Sequence, residues 1–327
     1  MAFEQARRDR RTMYTRMEQD IIDLLSIPEV RYMGDSLERI EEYIKERYQV
    51  NAEAALAELY YRYPKANLEG SAYRALEEIG RLKDFPEAEY WIGETFRMEG
   101  ELGVALGQYQ KAHDQRAFLE NPGFDIEILY RMVDVLKTKQ DYTEMEKWAL
   151  EILKHDSLWF GGSGIVTKHA MTTILENRDN GLRRFITIYR YNNIVVERAH
   201  RLLGLYYYAS GRHKQAVEHL MFSFLIQNTI LIQEVIRSRF DFTFTNLEDL
   251  MREAVRKPAL AAYIEEAEYY KTLYYFAAAL YSDGNTKQAA ARQLWEFLGA
   301  HPAGGEWSAK ARLQLRAPFV EKIVEMP

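Results

Sequence analysis

Between Ala88 and Ala112 the chain repeats a spacing that few folds can use: Gly93, Gly100, Ala105, Tyr109 and Ala112. With Pro86 as the first residue of a unit, these are its eighth, fifteenth, twentieth, twenty-fourth and twenty-seventh residues. A unit begun at Glu197 places Gly204, Gly211, Ala216, Leu220 and Ser223 at the same positions, and one begun at Tyr270 places Ala277, Gly284, Ala289, Gln293 and Glu296 there. Each choice has a physical reason in a helix–turn–helix unit. The eighth residue sits where the second helix comes closest, and the twentieth is its counterpart, so both must be small. The fifteenth ends the first helix, where a left-handed backbone is cheapest for Gly. Apolar residues at the seventh, eleventh and twenty-fourth positions pack the hairpin: Ile92, Phe96 and Tyr109; Leu203, Tyr207 and Leu220; Phe276 and Leu280.

Two weaker units follow the same scheme. From Ile126 the series reads Val133, Gln140, Met145, Ala149 and Ile152; from Ser163 it reads Ala170, Asn177, Leu182, Ile186 and Tyr189. Such a pattern, with a period of about 34 residues, resembles the tetratricopeptide repeat (TPR) family. The resemblance covers a little over half the chain. Two usual features depart from it: the large aromatic at the fourth position is replaced by Glu89, Leu129, His200 and Leu273, and the Pro near the thirty-second position is missing apart from Pro302, one place late. The resemblance implies an all-α, right-handed α-solenoid, a superhelix of antiparallel helix hairpins with extra helices at both ends.

The remaining segments read as helix too. Phe3–Leu25 and Ser36–Tyr48 carry helical apolar spacing, the second capped by Asp35 or Ser36. Asn51–Tyr61 and Ser71–Leu82 read as a degenerate hairpin. The expected organisation is a single solenoid over 1–327: N-terminal helices and the degenerate hairpin over 1–85, the main repeat array over 86–223, an irregular insertion over 224–269, and the last repeat with a capping helix, Trp307–Val324, over 270–327. Within the insertion, Phe240–Phe244 alternates like a strand, but a lone strand among helices reads as an extended connector.

Composition narrows the function. A net charge of −6 argues against nucleic-acid binding, which relies on clustered Lys and Arg. The one basic cluster, Arg7, Arg8, Arg10 and Arg11, is interleaved with acids and reads as a solvated helix face. No Cys is present, which excludes thiolate ligands and a thiol nucleophile. Leu220–Ile232 is broken by Ser223, Gln227, Asn228 and Thr229, too short and polar for a membrane span, so no membrane insertion is expected. MAFEQARRDRR has no apolar leader core, which favours the cytoplasm for the chain as given; a leader ahead of Met1 would make it exported or periplasmic.

Motifs for chemistry are sought in vain. Trp159–His169 holds Gly residues but no Gly-Lys-Ser/Thr, and reads as a flexible turn between repeats. The seven His fit no metal spacing and are expected at exposed or core-edge positions. No catalytic residue, metal or cofactor is expected. In the resembling family the second, fifth, ninth and twelfth residues of each first helix line the concave groove. Carried over, these positions are Glu87, Tyr90, Glu94 and Arg97 in the first unit, Tyr130 and Asp134 in the second, Arg198 and Arg201 in the fourth, and Tyr274 in the fifth. The family's Lys–Asn grip on a terminal carboxylate is absent. The resulting expectation is a non-catalytic adaptor holding a protein or peptide segment through Tyr90, Glu94, Arg97, Tyr130, Asp134, Arg198, Arg201 and Tyr274. Packing between repeats is the competing role for the tyrosines. A small-ligand component of a transport or sensing system, and a self-assembling structural protein, stay open as alternatives.

Overall fold

Helices occupy the described chain wherever the small-residue pattern runs. The computed structural model describes residues 2–26, 41–42, 45–46, 49–53, 84–160 and 164–321. Among them are fifteen α-helices, short 3-10 turns and no strand, so the protein is all-α. Most of the expected helices Ser36–Tyr48, Asn51–Tyr61 and Ser71–Leu82, with the caps Asp35 and Ser36, lie outside the described residues. The chain divides into two compact units, Met1–Val135 and Leu136–Pro327.

In the first unit, α1 (Ala2–Ser26) packs on α2 (Pro86–Met98), which pairs with α3 (Leu102–Asp114); α4 (Phe124–Thr138) begins here. Helix α2 starts with Pro86, whose missing N–H costs nothing at that position, and carries Glu87 and Glu89 where the helix dipole favours acids. It ends at Gly100, whose φ of +84° needs no Cβ relief. A Cβ on Gly93 would stand 2.7 Å from Tyr109 Cε1, so the eighth position is small because the ring of the twenty-fourth lies on it. The basic face of α1 is solvated only in part: Arg8 is exposed and pairs within the helix with Glu4, while the other three arginines meet acids beyond it. Arg7 pairs with Glu89, Arg10 bonds Glu120 at 2.9 Å and covers the Phe85 ring at 4.6 Å, and Arg11 reaches Asp84 at 3.3 Å. Phe3 stacks on Trp91 with ring centroids 6.0 Å apart. Acids at Asp84, Glu89 and Glu120 thus make one flank of the stripe a seam and leave the other in solvent.

The second unit runs through α5 (Tyr142–Ile152), α6 (Ser157–Phe160), α7 (Gly164–Leu175), α8 (Gly181–Ile188), α9 (Ile194–Ala209), α10 (His213–Ser238), α11 (Leu247–Ala254), α12 (Pro258–Glu266), α13 (Tyr269–Asp283), α14 (Gln288–Ala300) and α15 (Gly305–Arg316). Helix α10 is its spine, packed against α9 on one side and α13 on another. At the α9–α10 contact a Cβ on Gly204 would lie 2.5 Å from Leu220 Cγ, so the backbones meet as closely as side chains permit. The polar residues that interrupt the apolar run of α10 are buried and bonded. Asn228 Nδ2 donates to Phe224 O at 2.7 Å and receives Tyr269 OH on its oxygen at 3.0 Å. Thr229 Oγ1 donates to Leu225 O at 2.8 Å and accepts from Tyr191 N at 3.0 Å. By length and composition α10 could cross a membrane, yet 78% of its most apolar stretch is buried inside this unit.

Four details depart from the sequence reading. Position 223 is no boundary, because α10 continues to Ser238; the 224–269 stretch is mostly helical, broken by the connector at 239–246 and by short turns at 255–257 and 267–268. The last helix stops at Arg316 rather than running on toward Val324. In the last hairpin a 3-10 turn, Asn285–Lys287, precedes α14, and the buried positions become Ala290 and Leu294, one place beyond Ala289 and Gln293. A tighter turn rotates the helix that follows it. Trp159–His169 is not a flexible turn as a whole: α6 and α7 take its two ends, while 161–163 lie outside the described residues.

The fifteenth position tests the scheme where Gly is lacking. Gln140, between α4 and α5, adopts φ +59°. A left-handed backbone costs a non-Gly residue about 1–2 kcal/mol, so Gln140→Gly should stabilise the protein by up to about 1 kcal/mol once Gly's own entropy is subtracted. Conversely, Gly204→Ala should destabilise it. Overpacking of about 1–3 kcal/mol outweighs the ~1 kcal/mol gained in helix propensity. Urea unfolding of the full chain measures both, and Leu220→Ala should remove most of the Gly204→Ala penalty.

Candidate functional site

The expected groove residues of the first unit are tied to one another. Glu94 Oε1 and Oε2 accept from Arg97 at 3.1 and 2.9 Å, Tyr109 donates its hydroxyl to Glu94, and Arg131 Nε stands 3.4 Å from the same carboxylate. Burial opposes the Glu94 charge, but the bonds from Arg97 and Tyr109 outweigh it and hold its carboxyl below the usual value. Tyr90 is 3% exposed; its ring rests on Tyr109 and Phe124, while its hydroxyl donates to Glu127 at 3.4 Å and accepts from Arg131 at 3.3 Å. Burial raises its pKa. Tyr90 therefore belongs to the α2–α3–α4 core, and Glu94 to the bracing beneath it. Arg97 keeps about a third of its side chain in solvent. Tyr130 and Asp134 are half-buried on α4 and both are engaged in interactions.

In the second unit Tyr274 is fully buried, against the expectation that it lines a groove. Its hydroxyl meets Glu321 and accepts from Gln314 at 3.3 Å, and its ring lies 5.6 Å from Trp307. The last helix and the segment after it cover α13, which spacing within one repeat cannot reveal.

Arg198 and Arg201 do come together, on one wall of an open pocket of about 400 Å³. Ile194, Glu197, Arg198 and Arg201 of α9 face Tyr263, Glu266 and Ala267 across it. Helix α12 makes this pocket, and it lies in the stretch outside the repeats. Arg201 is 7% exposed and set between two carboxylates: Nη1 bonds Glu268, and Nε lies 3.4 Å from Glu197 Oε1 without a hydrogen bond. Glu197 accepts from Ser223 Oγ and Gln227 Nε2, each at 2.8 Å, and Gln227 also donates to Ala267 O at 2.8 Å. Burial raises the Glu197 pKa against the pull of Arg201. The Tyr263 hydroxyl is buried with no partner, and burial beside Glu197 raises its pKa as well.

A second polar cluster escaped the sequence reading. His200 and His219, expected near the surface, are buried in contact, Nδ1 to Nδ1 at 3.1 Å. His200 Nε2 lies 3.1 Å from Asp156 Oδ2; Asp156 also accepts from Tyr191 OH and from the N–H groups of Leu158 and Trp159. The Trp159 indole packs on His219 at 4.3 Å and carries Lys168 Nζ 3.8 Å over its face. His200 lies in α9 and His219 in α10, so no spacing within one helix links them. In the first unit His113 is likewise buried, 2.7 Å from Asp125. Among the described residues no group of His and acids could hold a metal ion.

Burial lowers the pKa of His200, despite Asp156, and lowers that of His219 further, with His200 and Lys168 adding to the effect. Below about 6.5, the usual histidine value, the unfolded chain takes up protons that the folded chain does not. Stability is then complete above that pH and falls as pH drops. The midpoint of thermal unfolding should decline from pH 7.5 to 5.5, and His219→Gln should flatten the decline.

No protein-family profile matches the chain, and no solved structure matches it. Two curated proteins are similar. One, an uncharacterized protein of Treponema pallidum, is 26% identical over 273 residues, spanning 83% of this chain and 72% of its own length. The other, an uncharacterized protein of Borreliella burgdorferi, is 21% identical over 275 residues, spanning 78% and 84%.

Proposed function

We propose that this protein is a non-catalytic scaffold, a TPR-like helical-hairpin solenoid that holds a protein or peptide segment. The observation that carries the reading is the recess between α9 and α12, where an exposed Ile194 offers an apolar edge beside Arg198, over a floor that holds Arg201 and the Tyr263 ring. Arg and Tyr are the residue types that anchor protein partners most often. The His200–Asp156 pair, which on paper could serve acid–base chemistry, has both side chains at 0% exposure and braces α9 against the chain around α6. The partner surface in this reading centres on Arg198, with Arg201 buried beside it; Tyr90 and Tyr274 are core residues, each of its own unit.

Self-assembly is a second reading, favoured by one observation. Phe240 is 97% exposed beyond the end of α10, with Ile236 and Val255 also exposed in that region of the chain. A monomer at all micromolar concentrations in sedimentation velocity would remove it.

Peptide display against the immobilised full chain tests the main reading. It should enrich a short motif, and Arg198→Glu should weaken the enriched peptide at least tenfold while leaving the unfolding midpoint within a few degrees. Enriched peptides indifferent to Arg198→Glu would place binding elsewhere.

A further inference from the structure

Past α15 the chain lies against α13 as a non-helical segment, 317–321. Pro318 disfavours helix at the residue before it, and Ala317 (φ −148°, ψ 87°) leaves the helical region, so α15 stops at Arg316. Two polar contacts hold the segment. The Phe319 N–H donates to Gln314 Oε1 at 2.9 Å, and the Glu321 carboxylate accepts from the Tyr274 hydroxyl. Gln314 is fully buried and its Nε2 donates to that hydroxyl at 3.3 Å, so one bonded pair of side chains meets the segment at two points. The Tyr274 ring is packed against Tyr275 and Trp307, with centroids at 5.2 and 5.6 Å, which fixes where its hydroxyl points. Burial, then the Glu321 charge, push the Tyr208 hydroxyl up to about 12, so this carboxylate stands near α9 as well as α13.

The apolar side chains of the segment stay largely outside. Phe319 is 50% and Val320 43% exposed, although burying both would be the larger gain for a tail that belonged to the core. One main-chain N–H and one side chain hold the segment instead, which is how grooves hold extended peptides. We infer that Gln314 and Tyr274 form a peptide-binding subsite, filled in cis by the chain's own segment 317–321. From a partner it takes an extended stretch that offers a main-chain N–H and, two residues on, a carboxylate side chain. The inference rests on the scaffold reading for the existence of a partner, but the subsite shares no residue with the α9–α12 recess. Tethering gives the segment an effective concentration on the order of millimolar. A short free peptide therefore competes poorly with it, and a partner must add contacts elsewhere to displace it.

The test frees the subsite in the full chain and refills it from solution. Phe319→Pro together with Glu321→Ala removes both contacts of the segment and leaves Gln314 and Tyr274 in place. The probe is the peptide acetyl-Ala-Pro-Phe-Val-Glu-amide, the sequence of 317–321, followed by ligand-observed NMR at pH 7.5. It should bind the double variant at least fivefold more tightly than the unaltered chain. A control peptide with Ala in place of Glu should bind the variant at least fivefold more weakly, and adding Tyr274→Phe to the variant should cancel the gain. The unfolding midpoint of the double variant should stay within a few degrees of that of the unaltered chain. No binding to the variant, equal binding to both chains, or equal binding of the control peptide would each overturn the inference; the control decides even where Tyr274→Phe fails to fold. A midpoint lowered by ten degrees or more would make the segment part of the core and overturn it too. Failure here, with display peptides that depend on Arg198, would leave the scaffold standing. Binding here, with no display peptide sensitive to Arg198→Glu, would instead remove the α9–α12 recess.

Discussion

The Leu136–Pro327 unit depends on how closely α9 and α10 approach at Gly204. With no side chain there, Leu220 fills the space a Cβ would need, and the two helices lie nearly backbone to side chain. That contact fixes the face of α10 turned toward α9 and leaves another for α13. It also explains why α10 tolerates Ser223, Gln227, Asn228 and Thr229 in its interior. Ser223 and Gln227 donate to Glu197 of α9, while Asn228 and Thr229 donate to carbonyls one turn back in α10 itself, which offsets most of the cost of burying them. Gln227 Oε1 alone is left without a partner. The equivalent contact in the first unit, Gly93 under Tyr109, sets α2 against α3 in the same way.

From that packing the polar clusters acquire their roles. Glu197 and Arg201 lie on the α9 face that meets α12 and the start of α13, which makes them half structural and half the lining of a recess. His200, one residue before Arg201, lies on the opposite flank and is sealed by Trp159, Asp156 and His219. Adjacent residues on one helix thus serve a closed network and an open pocket, because consecutive side chains diverge by about 100° around a helix of 3.6 residues per turn.

Much of the fold was legible in the sequence. Gly100, Gly211 and Gly284 all take positive φ where the spacing placed helix ends, and the buried Ala105, Ala216 and Ala277 stand where helices cross. Long-range partners were not legible. The basic face of α1 gave no sign that Glu89 and Asp84 would meet it, and Tyr274 looked like a groove residue until α15 and the segment after it covered it. Of the expected site residues, Arg198 and Arg201 share a pocket, whereas Tyr90 and Tyr274 joined the core. Tyr263 was missed because it belongs to no repeat. Its signal is a buried hydroxyl without a partner, a property of three-dimensional placement alone.

The claim that α10 is one continuous buried spine, rather than a repeat helix ending near Ser223, is open to direct measurement. Amide hydrogen exchange resolved along the full chain reports it residue by residue. The account predicts that amides of 224–235 exchange in the slowest class, within ~10-fold of those of 202–208 in α9, since both open only when the unit unfolds. Exchange of 224–235 orders of magnitude faster than that of 216–223 would contradict it.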